Sequence, residues 1–346
     1  MAKIVIEKIS CINFRCFVKN DFEFSSPFVL ITGNNGIGKT TLLEALYFPA
    51  FARSFKTNIP KEIATFTQSN FFVKLDFNGI NTLQVGFSEA KKRIRFNNAL
   101  VSNYQQLSSI YQAVALTQDD LGIIQESPEN RRTFLDQILY QIYPETISIF
   151  QKFRSALIKK TEFLNTKRAP DKIFYELLSD DLIKYSEIIK NYRVQLLSEI
   201  EKLIIPFQKN LFSSKAIFKF VYKQKYMDQE KLMDREMQQG RVLHGAHLDD
   251  CDITINDINI RLFGSRGQQK SALLILKIVH LLLLLKSNSL SKKIFIVDDF
   301  ITDLDYNTAG FFMDFLLTLD VQFFFSTPLI HNALPAVFSQ AQILYL

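Results

Sequence analysis

Hydrophobic positions near both ends of the chain follow the pattern of strands around a few helices. Alternating apolar residues at Phe71–Phe77 and 83–87, separated by Asn78-Gly79, predict a β-hairpin. Helical spacing predicts one helix at 39–48 and another near 308–319. Short runs of branched and aromatic residues predict further strands at 4–6, 22–24, 28–32, 253–262, 294–297 and 322–326. The two ends together predict a mixed α/β domain.

The middle of the chain has a helical pattern instead. Glycine is absent from 123 to 239, and apolar residues such as Ile189, Tyr192 and Leu196 recur at helical spacing. We therefore predict an α/β domain formed by 1–125 and 240–346, with a mainly helical lobe at 126–239 inserted into it.

One apolar stretch, 272–285, invites comparison with a membrane span. It is interrupted by Lys277 and His280 and is shorter than the ~20 residues that a span needs, so we predict a buried core helix. No secretory signal is evident at the start. We expect a soluble, cytoplasmic protein without a membrane partner.

Composition excludes several classes of protein. With 47% hydrophobic residues the chain is not disordered, and three cysteines without metal-ligand spacing exclude a disulfide framework or a zinc site. The net charge of +6 lies entirely in 151–240, which holds 18 Lys and Arg against 12 Asp and Glu. This predicts either a polyanionic partner or a solvated lysine-rich surface.

The segment from Gly33 to Thr40 matches the P-loop pattern G-x-x-x-x-G-K-[ST], between a predicted strand and a predicted helix. Its glycines let backbone N–H groups turn towards phosphate oxygens, and the helix N-terminus favours negative charge. Lys39 is expected to reach the β- and γ-phosphates of ATP, and the Thr40 hydroxyl to bind Mg²⁺. The predicted ATP-binding residues of this segment are Gly33, Asn34, Asn35, Gly36, Ile37, Gly38, Lys39, Thr40 and Thr41.

Two carboxylates follow the predicted strand 294–297. The carboxyl ends of parallel strands are where ligands bind in open α/β sheets. Asp298 is therefore the second candidate Mg²⁺ ligand, and Asp299 is the candidate base that orients the attacking water. Lys39 and Asp299 are the predicted catalytic residues.

A third motif, Ser265-Arg266-Gly267-Gln268-Gln269-Lys270, stands directly before the apolar helix. Ser265 can cap that helix, and the free N–H groups at its start can form a second anion site.

With these motifs, nearly the whole chain resembles the RecF family, ABC-type, SMC-like ATPases of bacterial recombinational repair. The matching segments are Asn13-Phe14-Arg15, the P-loop with Leu43-Glu44-Ala45-Leu46-Tyr47, Arg53-Ser54, the residues 127–136 and 244–250, the S-x-G-Q-Q signature, and Asp298-Asp299 with Leu304-Asp305.

The resemblance implies an ABC-type P-loop domain and a mechanism. Ser265, Gly267 and Gln268 of one subunit would contact the ATP held by the P-loop of another, and the segment 303–305 would cross the dimer. The implied protein is a slow, DNA-stimulated ATPase that dimerises on duplex or gapped DNA with little sequence preference. It would act in DNA replication, DNA repair and the SOS response, with RecO and RecR, to help load RecA at gaps.

Several positions keep two interpretations. Gln118 is a Q-loop residue or an ordinary loop glutamine, and Ser326-Thr327 is a switch or a strand-end cap. The basic run Lys91, Lys92, Arg93 and Arg95 is a solvated hairpin face or a phosphate contact. His244 and His247, with Asp249 and Asp250, form a metal cluster or a packing element.

The chain departs from the family pattern at Leu248, where arginine is usual, and at Ala52 and Phe55, where glycine and histidine are usual. These departures leave the predicted ATPase residues intact but put DNA contacts in question. The alternative function is the ATP-hydrolysing subunit of an ABC transporter. The segment 13–15, the form of the signature and the basic helical insertion argue against it.

Overall fold

The structure is a computed structural model. It describes the residues 3, 5–57, 59–89, 91–166, 171–211, 216–225, 232–287, 290–299, 306–328, 338 and 340–346. By internal contacts the chain forms two compact units, Met1–Asp119 with Leu285–Leu346, and Asp120–Leu284.

The elements are numbered in chain order. The strands are β1 (Lys8–Phe14), β2 (Phe17–Glu23), β3 (Phe28–Thr32), β4 (Phe71–Phe77), β5 (Asn81–Ser88), β6 (Lys91–Phe96), β7 (Ala99–Leu100), β8 (Tyr111–Leu116), β9 (Phe218–Lys223), β10 (Asp250–Ile255), β11 (Ile258–Asn259), β12 (Lys292–Val297), β13 (Gln322–Thr327) and β14 (Gln342–Tyr345). The helices are α1 (Lys39–Phe51), α2 (Tyr104–Ile110), α3 (Gly122–Gln125), α4 (Pro128–Ile142), α5 (Thr146–Leu164), α6 (Lys172–Leu211), α7 (Leu232–Gln239), α8 (Ile260–Phe263), α9 (Arg266–Lys286) and α10 (Tyr306–Leu317).

The first unit contains two sheets. One is antiparallel, with the strand order β2-β1-β4-β5-β6-β7, and includes the predicted hairpin of β4 and β5. The other is parallel, with the order β14-β3-β13-β12-β8. The early strand β3 thus lies between the last two strands of the described residues, so segments from near both chain ends build one sheet.

Helix α1 is buried on every side. It packs against β8 and β13 of the parallel sheet and against β1, β4 and β5 of the antiparallel sheet. Leu42, Leu43 and Leu46 are fully buried, as expected for a helix that is apolar all round. The P-loop precedes this helix and is therefore attached to the core of the unit.

Residues near the start of the chain are held by a buried side chain. The Gln322 amide oxygen accepts hydrogen bonds from the backbone N–H groups of Val5 (3.0 Å) and Ile6 (2.7 Å), and its amide nitrogen donates to Ile6 O (3.1 Å) and Ser26 O (3.3 Å). The predicted strand at 4–6 is therefore wrong for Val5 and Ile6, because a glutamine side chain takes the place of a neighbouring strand. Residue 4 lies outside the described residues.

The second unit is mainly helical, as the sequence predicts for most of it. It contains α3 to α8, most of α9, and the small antiparallel sheet β11-β10-β9. The predicted strand at 253–262 is partly wrong, because the chain turns after β10 and forms the short helix α8 from Ile260.

Helix α9 is long and apolar enough to cross a membrane, but 78% of its most apolar window is buried inside the protein. Its polar residues are paired there: Lys277 Nζ donates to Asp120 Oδ1 at 2.6 Å, and His280 Nε2 lies 2.6 Å from Gln141 Oε1. Burial lowers the pKa of His280 well below its usual value, which keeps the ring neutral. These contacts are those of a core helix.

The two compact units divide the chain differently from the predicted domains. Residues 240–284, which we assigned to the α/β domain, cluster with the helices of the second unit. The functional assignment of that segment to the ATPase domain remains a prediction.

We predict that Gln322→Leu lowers the free energy of unfolding by about 2–4 kcal/mol, because it leaves buried backbone groups of the first unit without partners. Gln342 is the matched control. It makes the same kind of bonds, to Ser25 N and Glu23 O, but its side chain is only half-buried and both bonds are exposed to solvent. Gln342→Leu should lose less than about 1 kcal/mol. Urea denaturation measures both, and equal losses would contradict the importance of burial.

Candidate functional site

The P-loop has a backbone that only glycine adopts easily. Gly33, Gly36 and Gly38 have φ of +152°, +83° and +119°. A Cβ atom on Gly38 would lie 3.0 Å from the Phe17 ring and 3.1 Å from Cys16 Sγ. Conformation and packing both require the glycine there.

The loop encloses the amine of Lys39. This buried side chain donates hydrogen bonds from Nζ to Gly33 O (3.0 Å) and Asn34 O (3.2 Å). The intervening residues 34–37 are exposed, and the Thr41 hydroxyl lies 3.6 Å from Cys16 Sγ. The positive charge that the sequence assigns to phosphate binding is thus held inside the loop.

Three polar side chains meet where neighbouring parallel strands end. Thr40 Oγ1 donates to Asp298 Oδ1 at 3.1 Å, and Ser326 Oγ donates to the same oxygen at 2.6 Å. Burial raises the pKa of Asp298, and the hydrogen bonds from Ser326 and Thr40 oppose this shift. The structure therefore brings together the two predicted Mg²⁺ ligands, Thr40 and Asp298. A hydroxyl beside a carboxylate is an oxygen donor set that suits Mg²⁺.

Asp299 is held in an unusual conformation beside Asp298. Its φ is +49°, in the left-handed region that few non-glycine residues occupy. Its N–H donates to Ser326 Oγ at 3.0 Å, and its Oδ1 lies 3.2 Å from that hydroxyl. Ser326 thus contacts both carboxylates, which favours the switch interpretation over a plain strand-end cap.

Gln118 follows β8 at the same edge of the sheet. Strand β8 pairs with β12, and Asp298 N–H donates to Leu116 O at 2.9 Å. Gln118 is exposed two residues further on. This position agrees with a Q-loop residue, whose role stays a prediction.

A buried ion pair connects three of the segments that carry the family resemblance. Arg15 donates from Nε to Glu44 Oε2 (2.9 Å) and from Nη2 to Glu44 Oε1 (2.6 Å). The Ser54 hydroxyl also donates to Glu44, whose side chain is 1% exposed. Arg15, Glu44 and Ser54 belong to separate motifs in the sequence, and their contact is not predicted from it. An acidic residue among the apolar residues of α1 was the available signal.

The signature motif closes the start of α9. Gln268 N–H donates to Ser265 Oγ at 3.2 Å, and Ser265 N–H donates to Gln268 Oε1 at 2.9 Å. This reciprocal arrangement is a capping box, so Ser265 caps the helix as predicted. Gln269 is buried and donates to Ile260 O, whereas the residues 265–268 are exposed. The motif therefore presents a rigid helix start to the solvent.

Two further motifs meet inside the second unit. Arg131 makes a two-bond ion pair with Asp250, at 2.8 and 3.1 Å, and Arg193 makes another with Asp136, at 2.8 Å for both bonds. Arg193 also donates to Ala246 O at 2.8 Å. The segment 244–250 is thus held by arginines from α4 and α6.

The metal-cluster interpretation of this segment finds no support. Among the described residues, no group of three or more His, Cys, Asp or Glu side chains could hold a metal ion. His244 Nδ1 lies 3.1 Å from buried Glu236, and burial lowers the pKa of His247 to about 4. The arrangement agrees with a packing element.

Some of the positive charge of 151–240 is not available to a partner. Lys160 is 0% exposed and forms a 2.8 Å ion pair with Glu236, and Arg193 is 2% exposed. Lys152, Arg154 and Lys159 remain exposed on α5. The sequence could not separate these two groups.

The departures from the family pattern have local consequences. Ala52 ends α1 with φ of +50°, a conformation that favours glycine, and Phe55 packs edge-on against Tyr47. Leu248 is partly buried in the turn before β10. The segment 303–305, predicted to cross a dimer, lies outside the described residues.

Comparison with known proteins agrees with this geometry. The family model of the AAA domain (AAA_23) matches residues 8–239. Proteins named DNA replication and repair protein RecF are 27% identical over 319 residues in Clostridioides difficile and 28% identical over 322 residues in Ligilactobacillus salivarius. Each alignment covers 87% of this chain and 85% of the relative.

Solved structures show the same fold. A structure of the recombination mediator protein RecF-ATPrS in the RecFOR pathway superposes with a TM-score of 0.83 at 22% identity, over 99% of this chain and 95% of that one. The Smc head domain of Pyrococcus furiosus superposes with a TM-score of 0.54 at 15% identity, over 99% of this chain and 93% of that one.

The fold and the P-loop site define a P-loop ATPase with the architecture of RecF and of Smc heads. The chain belongs to the AAA-domain family AAA_23. Its similarity to proteins named RecF extends over most of its length, which confirms the expected fold class and the resemblance noted from the motifs.

We predict that Asp298→Asn has opposite effects on stability and activity. Because the pKa of folded Asp298 is raised, its ionised form opposes folding, and this penalty disappears as the pH falls below that pKa. At neutral pH the asparagine variant should raise the Tm without nucleotide by about 1–3 °C and should abolish Mg²⁺-dependent ATP hydrolysis.

The control is Asp314→Asn, an exposed position on α10. Calorimetry and a phosphate-release assay should show neither effect for it. Full hydrolysis by Asp298→Asn would contradict the assignment of this carboxylate.

Proposed function

We propose that the protein is a DNA-binding ATPase of recombinational repair, which dimerises with ATP on duplex or gapped DNA and reopens after slow, DNA-stimulated hydrolysis. The observation that carries this proposal is the meeting of Thr40, Asp298 and Ser326 beside the P-loop. Similarity to proteins named RecF over most of the chain supports the repair context.

In this proposal each site residue has a distinct task. The residues 33–41 bind the phosphates of ATP, and Lys39 neutralises the charge of the β- and γ-phosphates. Thr40 and Asp298 hold Mg²⁺, which supplies charge neutralisation when it is bound. Asp299 accepts a hydrogen bond from the attacking water, and its fixed backbone limits the directions in which the carboxylate can point.

The signature is the part that would act in the second subunit. Residues 265–268 are exposed, and the capping box leaves further N–H groups at the start of α9 without intrahelical partners. Ser265, Gly267 and Gln268 would contact the γ-phosphate bound to the partner's P-loop. This arrangement couples ATP binding to homodimerisation.

The basic residues of the second unit support DNA binding through phosphate contacts. Lys152, Arg154 and Lys159 are exposed on one helix. Such contacts carry little sequence information, which agrees with low specificity. By the same resemblance the protein would act in the cytoplasm, in replication, repair and the SOS response, with RecO and RecR in aiding RecA loading.

The transporter alternative is less well supported, because the relatives named above are repair proteins. The ATPase rate with and without gapped, duplex and single-stranded DNA distinguishes the two. We expect stimulation by gapped or duplex DNA, and DNA affinity whose logarithm falls with log salt at a slope of about −4 to −5. Absence of both DNA binding and stimulation would contradict the proposal.

We predict that Ser265→Arg leaves ATP binding by the monomer intact but blocks ATP-dependent dimerisation. The P-loop is unchanged, whereas a bulky cation replaces a small capping hydroxyl that must approach a phosphate closely. ATP binding is measured by calorimetry and dimerisation by light scattering. ATP-driven dimers like those of the wild type would contradict a signature that acts in trans.

Two further variants sharpen this test. Ser265→Ala also removes the helix cap, at a cost of about 1 kcal/mol, but adds no bulk or charge, so it should retain more dimerisation than Ser265→Arg. Mixing Ser265→Arg with Lys39→Ala restores one intact composite site per mixed dimer. Partial ATPase activity should therefore return in the mixture. A mixture as inactive as each variant alone would contradict the hypothesis that each composite site hydrolyses ATP independently.

A further inference from the structure

One face of the antiparallel sheet carries a group of basic residues outside the P-loop motifs. The register places Ile12, Phe72, Gly86 and Arg93 in one row across β1, β4, β5 and β6. Gln84 and Arg95 form the neighbouring row. A groove of about 510 Å³ lies along these residues.

Successive side chains of β6 lie on opposite faces of the sheet, which separates its basic residues into two groups. Lys92 lies on the opposite face of the strand from Arg93 and donates from Nζ to Ala52 O at 2.5 Å. Lys91, Arg93 and Arg95 are exposed, and in the described part of the chain none of them has a carboxylate within ion-pair distance. Glu89 lies at the rim of the groove without pairing with them. The arginines therefore remain available to an anionic partner.

The middle of the groove combines an aromatic ring with a missing side chain. Gly86 has no side chain, and a Cβ atom there would lie 3.6 Å from Phe72 Cδ2, so the Phe72 ring covers the glycine. Phe71, the neighbour of Phe72, points inward and packs against Phe14, Phe48 and Phe87. Phe72 is partly exposed and forms no ring pair with another described aromatic side chain.

We propose that this groove binds single-stranded nucleic acid, with a base stacked on Phe72 and backbone phosphates at Arg93 and Arg95. Two strand spacings, about 10 Å, separate the backbones of Phe72 and Arg93, and the long arginine side chain can reach back across Gly86. A partly exposed aromatic ring beside unpaired arginines is a combination that proteins use for single strands without sequence preference. Duplex DNA offers phosphates to the arginines but no exposed base to the ring.

The test measures fluorescence anisotropy of a labelled oligothymidylate of about 15 nucleotides. Phe72→Leu keeps an apolar cover over Gly86 but removes the ring, and should weaken binding at least about 5-fold. Phe72→Tyr keeps the ring and should stay within about 2-fold of the wild type.

Arg93→Gln tests the phosphate contact at an exposed position that does not threaten the fold. It should weaken binding about 3-fold or more and reduce the salt slope by about 0.7. The control, Lys61→Gln, removes one positive charge from another exposed site of the same unit and should leave both quantities unchanged.

The inference would be overturned if Phe72→Leu kept wild-type affinity for oligothymidylate or lost duplex affinity to the same extent. Displacement of oligothymidylate by polyglutamate at equal charge would also overturn it. A wild-type protein that binds duplex DNA but not oligothymidylate would also overturn it, while leaving the proposed function standing. A wild-type protein that does not dimerise with ATP, or that does not bind duplex DNA, would count against the proposed function instead.

Discussion

The nucleotide loop depends on a helix that has no solvent face. Because α1 is enclosed by strands of two sheets, the loop before it cannot shift without disturbing the core. The one acidic side chain that α1 buries, Glu44, has its charge balanced by Arg15 and a further hydrogen bond from Ser54. A buried charge is tolerated only with such partners. Packing and this ion pair together make the phosphate-binding backbone rigid.

Local patterns were sufficient to predict the elements that form the site. Glycine spacing predicted the P-loop. The apolar run before Asp298 predicted the central strand, because a strand buried on both faces needs four or five apolar residues in succession. The position of Asp298 beside Thr40 then follows from the geometry of a parallel sheet. Segments whose structure depends on residues far away in the sequence were harder to predict. Val5 and Ile6 have the composition of a strand, but a side chain 316 residues away satisfies Ile6.

Which charged residues are buried also depends on partners far away in the sequence, so local patterns do not predict it. Lys160 and Arg193 are buried in ion pairs, whereas Lys152 and Lys159 are exposed, although all four contribute equally to the net charge of the segment. Burial of a cation is decided by a carboxylate elsewhere in the fold, here Glu236 and Asp136. Composition predicts a basic region but not which of its charges reach the surface. The capping box at Ser265 is the opposite case, since both partners lie within four residues.

The position of β3 has a consequence for biosynthesis. Both hydrogen-bonding edges of this strand are occupied by strands synthesised much later, β13 about 290 residues and β14 about 310 residues further along the chain. Until those residues leave the ribosome, the strand that leads into the P-loop has unpaired edges, a state prone to aggregation. The second unit, by contrast, is one continuous stretch of chain, so all of it is synthesised before β12, β13 and β14. Competence to bind nucleotide is therefore acquired last, and only by a chain that has been translated through β14.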